Sequence, residues 1–259
     1  ILLSQALFRD YHLTSGPPRC AFKIDLRKVF DSISWEFVHS ILVKYGFPVT
    51  FIQWIMTCIT GAMLSVKVNG CLEGHFPAAS GLRQGDPLSP YIFVLAMEIL
   101  TACLNKHCST QDFKHHWCTK QLNITHLTFA DDILLFCHGD AHSVDLLMLG
   151  LLEFSHCSGL RPNATKSQFF TANVDSHLKS HIRISTGFVE GSLPVRYLGL
   201  PLITSKLNLQ HCMPLLMKIR ARIDSWVNIC LNHAGRLLLL KSCLYGIFGF
   251  WSNHFCLPK

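Results

Sequence analysis

The chain has 259 residues, 49% of them hydrophobic and 15% charged, with a formal net charge of +7. That balance excludes a disordered or fibrous chain and predicts a globular protein of one large domain or two smaller ones. Charge breaks the longest apolar runs, Glu98 within 91–104 and Lys241 within 237–251, so no membrane span and no membrane partner is expected.

Residues 1–13 have the pattern of a helix that ends before Gly16-Pro17-Pro18. Residues 20–26 alternate, with Phe22, Ile24 and Leu26 on one face and Lys23 and Asp25 on the other. This predicts a half-buried strand with an acid near its end. Ser34 is placed to cap a helix carrying Trp35, Phe37, Val38, Ile41 and Leu42 that stops at Gly46. Pro48 opens another helix, to about Ile59. Residues 64–68 predict a strand, turned back at Asn69-Gly70. The return strand leads into Gly81-Leu-Arg-Gln-Gly-Asp-Pro-Leu-Ser-Pro90, where two glycines are expected to let backbone approach a ligand closely. A long helix over 88–106 and a polar stretch follow.

Residues 127–136, Leu-Thr-Phe-Ala-Asp-Asp-Ile-Leu-Leu-Phe, predict two buried strand arms. They meet at a tip carrying Asp131 and Asp132, with the small Ala130 before them. Two carboxylates about 4 Å apart repel by roughly 4 kcal/mol at an effective dielectric near 20. A divalent cation removes that cost, and Mg²⁺ favours one or two carboxylates together with phosphate oxygens. Asp25 supplies a third acid from a distant part of the chain. A strand-end acid and an acidic hairpin together suit a pair of divalent ions, which stabilise both oxygens of an in-line phosphoryl displacement.

Beyond the hairpin, residues 143–158 predict an amphipathic helix ended by Gly159. Pro162-Asn163 turns the chain, Lys166 leads into a strand ending near Thr171, and 195–202 is a further short strand. Helices over 210–228 and 234–251 close the chain. The mixture has no regular strand–helix–strand period, so the fold class is α+β.

Charge is uneven along the chain. After Glu153 there are twelve Lys and Arg against three acids, net +9, which leaves −2 for residues 1–153. An acid-bearing first part and a basic second part suit an enzyme that holds metals in one and a polyanion in the other. The twelve cysteines contain no C-x-x-C pair and no secretory signal is legible, so reduced thiols in an intracellular protein are expected. The densest Cys/His region, Cys103, His107, Cys108, His115, His116 and Cys118, matches no standard zinc spacing. A first residue Ile1 and an end at Pro258-Lys259 predict a piece of a longer chain.

Five stretches carry a resemblance. Phe22-Lys-Ile-Asp-Leu-Arg-Lys-Val-Phe-Asp31, Gly81 to Pro90, Phe129-Ala-Asp-Asp132, Gly159-Leu-Arg-Pro-Asn-Ala-Thr-Lys166 and Tyr197-Leu-Gly-Leu-Pro201 occur in this order. They resemble the successive palm motifs of a reverse transcriptase, of the LINE-type, non-LTR retrotransposon kind common in plants. The resemblance runs over nearly the whole chain, including Ser225-Trp226 and Ala234-Gly-Arg236. It implies a right-hand polymerase palm, an antiparallel sheet with helices packed on one face, plus partial fingers and a helical thumb. Residues 1–205 would form the palm with partial fingers, and 206–259 a truncated thumb. The fingers strands of the same polyprotein are expected before Ile1.

The resemblance implies RNA-directed DNA polymerase activity with an RNA template, a DNA primer and deoxynucleoside triphosphates as partners. Mg²⁺, or Mn²⁺ in its place, is the implied cofactor, and the nucleus the implied location. Asp25, Asp131 and Asp132 resemble the metal-binding carboxylates. Leu26 and the backbone after it would line the triphosphate. Phe30 takes the steric-gate position that disfavours a ribose 2′-hydroxyl. Gln84 and Gly85 resemble the loop under the templating base, and Arg83 would contact phosphate or template. Lys166 resembles the lysine that protonates leaving pyrophosphate, and 197–201 the primer grip. Val29 stands where the family commonly has Ala, which would tighten the pocket or shift Phe30. Two alternatives are a relic that only binds nucleic acid and an intron-maturase-like protein.

Overall fold

The computed structural model describes residues 1–226 and 232–258. In chain order it forms α1 (Leu2–Phe8), β1 (Arg19–Asp25), α2 (Val29–Ser32), α3 (Trp35–Lys44), α4 (Val49–Thr60), β2 (Met63–Val68), β3 (Cys71–Pro77) and α5 (Ser89–Cys108). Then come β4 (His126–Phe129), β5 (Asp132–His138), α6 (Ala141–Ser158), β6 (Gln168–Ala172), α7 (Ser176–Thr186) and β7 (Val189–Glu190). The last elements are β8 (Val195–Tyr197), β9 (Leu200–Leu202), α8 (Leu209–Trp226), α9 (His233–Leu239) and α10 (Tyr245–Ser252), with a π-helical segment, Leu240–Leu244, between α9 and α10.

The chain divides into two compact units, one of residues 15–190 and one of residues 1–14 with those from 191 onward. The expected boundary after residue 205 does not coincide with this division. The first unit is built on a five-stranded sheet in the order β4-β5-β1-β6-β7. All its pairings are antiparallel except β6 with β7. The α+β class is as expected.

Alternation along the strands explains the layers. Cys20, Phe22 and Ile24 of β1 share a face with Ile133, Leu135 and Cys137 of β5 and Phe169 of β6. This row is buried in one core with Phe37, Ile41, Leu100, Leu104, Leu147 and Phe154 of the helices. Each large side chain so buried contributes about 1.5–3 kcal/mol. Helices α5 and α6 come close because Gly150 lies against Leu104, whose Cα would sit 3.0 Å from any added Cβ. By length and composition α5 is apolar enough to cross a membrane, but here its Ile92, Phe93, Ala96, Leu100 and Leu104 pack into this core. The opposite sheet face carries Ala21, Leu134, Phe136 and Phe170, also buried. The ring of His116 lies edge-on to Phe136 there.

Local signals set the element ends. The Ser34 side chain accepts from the Phe37 amide and caps α3. Asp140 caps α6 through the Ser143 amide, two residues earlier than the pattern suggested, and Gly159 ends it at φ 81°. Asn69-Gly70 turns β2 into β3 as expected. Four expectations need correction. The helix over 1–13 stops at Phe8. The arm before the acidic tip is not buried: β4 is a short edge strand paired on one side only, and Phe129 is 62% exposed. The strand over 195–202 is a hairpin, because Leu198 and Gly199 turn the chain at φ 49° and 85°. The helix over 234–251 changes to π-helical geometry at Leu240–Leu244. The expected helix end at 228 lies outside the described residues.

In the second unit, Gln5 of α1 bonds both backbone groups of Ile203. Leu200, Leu215 and Trp251 form its small core. The eleven described cysteines are all free thiols.

Candidate active site

Asp25 is the last residue of β1 and Asp132 the first of β5, and the two are direct partners across the ladder. Side chains so placed share a face with Cβ atoms about 4.5–5.5 Å apart. Asp131 lies in the two-residue turn between Phe129 and Asp132. Ala130, the other turn residue, is held at φ 52°, in the left-handed region that residues other than glycine adopt uncommonly. The sequence places Asp25 there because the apolar alternation of β1 sends Phe22 and Ile24 to the helices and Lys23 and Asp25 to the other face.

Asp25 and Asp132 are half-buried and Asp131 is exposed. Burial pushes the Asp132 carboxyl above its usual range; Lys23 pulls it down, and Asp131 and Asp25 push it further up. Three carboxylates therefore converge electrostatically at one end of the sheet. Their oxygen donors suit a hard dication. Among the described residues, no group of three or more His, Cys, Asp or Glu side chains is poised to hold a metal ion. A cation here would need further oxygens from water and phosphate, which is how Mg²⁺ is ordinarily held in nucleotide-processing sites.

Three loops are laced together beside this end of the sheet. The 159–167 loop is fixed behind Asp25. The Asn163 amide donates to the Asp25 carbonyl at 2.7 Å, and the Ser167 hydroxyl accepts from the Asp25 amide at 3.1 Å. Leu26 bridges to Pro162, and the Arg27 amide donates to the Arg161 carbonyl at 3.0 Å. A Cβ on Gly159 would lie 2.7 Å from the Ser32 carbonyl oxygen.

The 80–85 loop is fixed to the 30–35 segment. The Leu82 amide donates to the Phe30 carbonyl at 2.5 Å and the Gly81 amide to the Ile33 carbonyl at 2.9 Å. The Ser80 hydroxyl donates to the Asp31 carbonyl at 3.0 Å, and the Trp35 indole to the Gly81 carbonyl at 2.7 Å. Gln84 reaches the Asp31 carboxylate at 3.5 Å. Phe30 is half-buried, its ring tilted against Phe93 with centroids 5.7 Å apart.

Asp25, Asp131 and Asp132 are thus brought together, and Leu26, Phe30 and Gln84 are tied to the same loops. Arg83, Gly85 and Lys166 are exposed beside them. Sequence reasoning expected both loop glycines to admit a ligand. Gly81 instead admits its own chain: at φ +89° an added Cβ would meet the Phe30 oxygen at 2.6 Å and the Asp31 Cα at 2.8 Å. Gly85 has nothing within 4 Å of that position. The contributions of Ser167, Trp35 and Lys23 were missed. For Lys23 the signal was present, since its alternation with Asp25 already put both on one face.

A family model for reverse transcriptase (RNA-dependent DNA polymerase) matches residues 4–202. The Retrovirus-related Pol polyprotein from type-2 retrotransposable element R2DM of Drosophila melanogaster is 30% identical over 156 residues, 60% of this chain and 14% of that protein. A type-1 retrotransposable element R2 polyprotein of Popillia japonica is 31% identical over 112 residues, 43% of this chain and 18% of that protein. The chain thus spans less than a fifth of either relative. Among solved structures, telomerase of Candida albicans, in complex with a fragment of telomeric RNA, superposes with a TM-score of 0.54 at 12% identity. That match covers 88% of this chain and 39% of the telomerase, and it extends the likeness in fold to the right-hand polymerases.

Proposed function

The chain belongs to the reverse transcriptase family, and from that premise we propose that it is the palm and part of the thumb of a non-LTR retroelement polymerase that copies RNA into DNA. The observation that carries this reading is the cross-strand pairing of Asp25 with Asp132, with Asp131 in the adjoining turn. Opposed like charges destabilise a ladder, and a protein that only bound nucleic acid would have no use for them. The retrotransposon relatives support the non-LTR assignment. A 39% identity over 66 residues with an uncharacterized mitochondrial protein of Arabidopsis thaliana supports the plant affiliation.

In this reading Asp25, Asp131 and Asp132 would hold the divalent cations. When bound, such ions stabilise the attacking and leaving oxygens of an in-line displacement. The primer 3′-hydroxyl gives up its proton to solvent as its oxygen bonds to the α-phosphorus of the incoming nucleotide, and the bond from that phosphorus to pyrophosphate breaks. Lys166, exposed on the loop bonded to Asp25, gives a proton to the departing pyrophosphate. The backbone after Leu26 lines the triphosphate and Arg83 meets phosphate or template. Gln84 and Gly85 support the templating base, and Phe30 crowds a ribose 2′-hydroxyl. In the second unit the 197–201 hairpin turn would grip the primer, and the basic α8, with Lys218, Arg220 and Arg222, would track the duplex backbone through salt-sensitive contacts.

The test is primer extension on an RNA template with Mg²⁺, using the chain joined to its flanking polyprotein sequence. The wild type should extend the primer, and Asp131→Ala should abolish extension; extension that survives in Asp131→Ala refutes the assignment.

A further inference from the structure

Lys23 sits one pleat inside Asp25 on the same face of β1. Its partners across the ladder are Leu134 on β5 and Gln168 on β6, neither of them charged. Asp132 is its diagonal neighbour, a relation of about 7–8 Å between backbones that a long side chain spans. Lys23 is half-buried, and the sheet face behind it is dry: Ala21, Leu134, Phe136 and Phe170 are all 2% exposed or less. A charge beside such a surface is poorly screened and acts strongly on its neighbours. The Lys23 and Asp132 side chains interact electrostatically across that diagonal. A surface lysine packing its stem on the sheet would need none of this placement.

We propose that Lys23 is the fixed counter-charge of the carboxylate cluster: a positioning residue that lets Asp25, Asp131 and Asp132 stand together before a cation arrives, and that weakens their hold on a cation until a nucleotide adds its phosphates. This rests on the reading of the three aspartates as the cation site. It explains how three acids share one sheet end. It also makes cation binding depend on substrate, since a triphosphate supplies the negative charge that Lys23 offsets.

The test is titration of the 259-residue protein with Mn²⁺, free ion followed by electron paramagnetic resonance, with no nucleotide present. Lys23→Gln removes the charge and keeps most of the reach. It should bind Mn²⁺ about three- to ten-fold tighter than wild type, while Lys23→Arg should stay within about two-fold of wild type. Equal affinity in wild type and Lys23→Gln overturns the proposal, as does a Lys23→Arg that behaves like Lys23→Gln. Should the neutral variant unfold, Mn²⁺ should restore its melting transition; unfolding that Mn²⁺ does not reverse also overturns the proposal. Asp131→Ala separates the two levels. Loss of Mn²⁺ binding in that variant with no effect of Lys23→Gln removes Lys23 alone. Mn²⁺ binding that Asp131→Ala leaves untouched removes the carboxylate site itself.

Discussion

Replacing Gly81 by Ala tests whether the loop lacing holds the site in shape. Gly81 is at φ +89°, where an L-residue is disfavoured by about 1–2 kcal/mol. Its added Cβ would lie 2.6 Å from the Phe30 oxygen, 2.8 Å from the Asp31 Cα and 2.8 Å from the Asp31 oxygen. All three are backbone atoms and cannot rotate away, so forcing them apart adds about 1–3 kcal/mol. The total, about 2–5 kcal/mol, should lower the melting temperature by roughly 4–20 °C for a unit of this size. Gly85→Ala is the internal control. It has nearly the same φ, +88°, but open space around the Cβ position, so it should cost only the conformational part, about 1–2 kcal/mol. Thermal and urea unfolding of both variants measure the difference. Equal losses in the two would refute the view that the Gly81 loop is pressed against the Phe30–Asp31 backbone.

Three other outcomes follow from the same geometry. Phe30→Val should raise ribonucleotide incorporation relative to deoxynucleotide, on the order of ten-fold or more in the ratio of kcat/KM values; an unchanged ratio removes Phe30 from the gate. His116 is fully buried, and burial above all, with Arg19 and His138, pulls its pKa down to about 4. Between pH 6.5 and about 4 the unfolded chain therefore binds the extra proton. Stability should fall as pH falls across that window, by about 3 kcal/mol from this group, and the fall should be clearly smaller in His116→Gln when urea midpoints are compared. Ala130→Gly removes a Cβ from a residue at φ 52° and should raise stability by about 1 kcal/mol; a lower urea midpoint would show that the turn carries no such strain.

Much of the site was legible because its determinants are local. Strict alternation from Cys20 to Leu26 put Asp25 on the polar face. Asn69-Gly70, Ser34 and Gly159 mark ends that depend on a few backbone angles and one hydrogen bond. What escaped depends on distant partners. Nothing near Gly81 in sequence says that the Phe30 carbonyl will press on it. The edge position of β4 follows from sheet order, which apolar content in the 127–136 stretch does not encode. Helix α7 carried its signals, an Asp175 cap and a Gly187 stop. Its apolar stripe is too thin to announce a helix, with only Leu178 and Ile182 buried. The joining of residues 1–14 to the second unit rests on contacts such as Gln5 with Ile203, which no local pattern forecasts.

The sheet register couples stability to chemistry. At about 5 Å and an effective dielectric near 20, the opposed Asp25 and Asp132 carboxylates repel by about 3 kcal/mol. That repulsion favours any shift that parts them. Against it stand Phe22, Ile24, Ile133 and Leu135, each 0% exposed on the helix side of the same two strands. Together they contribute about 6–12 kcal/mol of burial. A one-residue slip of β5 would turn Asp132 into the helix-side core and Ile133 and Leu135 away from it. The core therefore overrides the repulsion and fixes the two acids in opposition. Cations at the cluster would then stabilise the fold as well as enable the chemistry, so divalent ions should protect this unit against unfolding more strongly than an equal ionic strength of monovalent salt does.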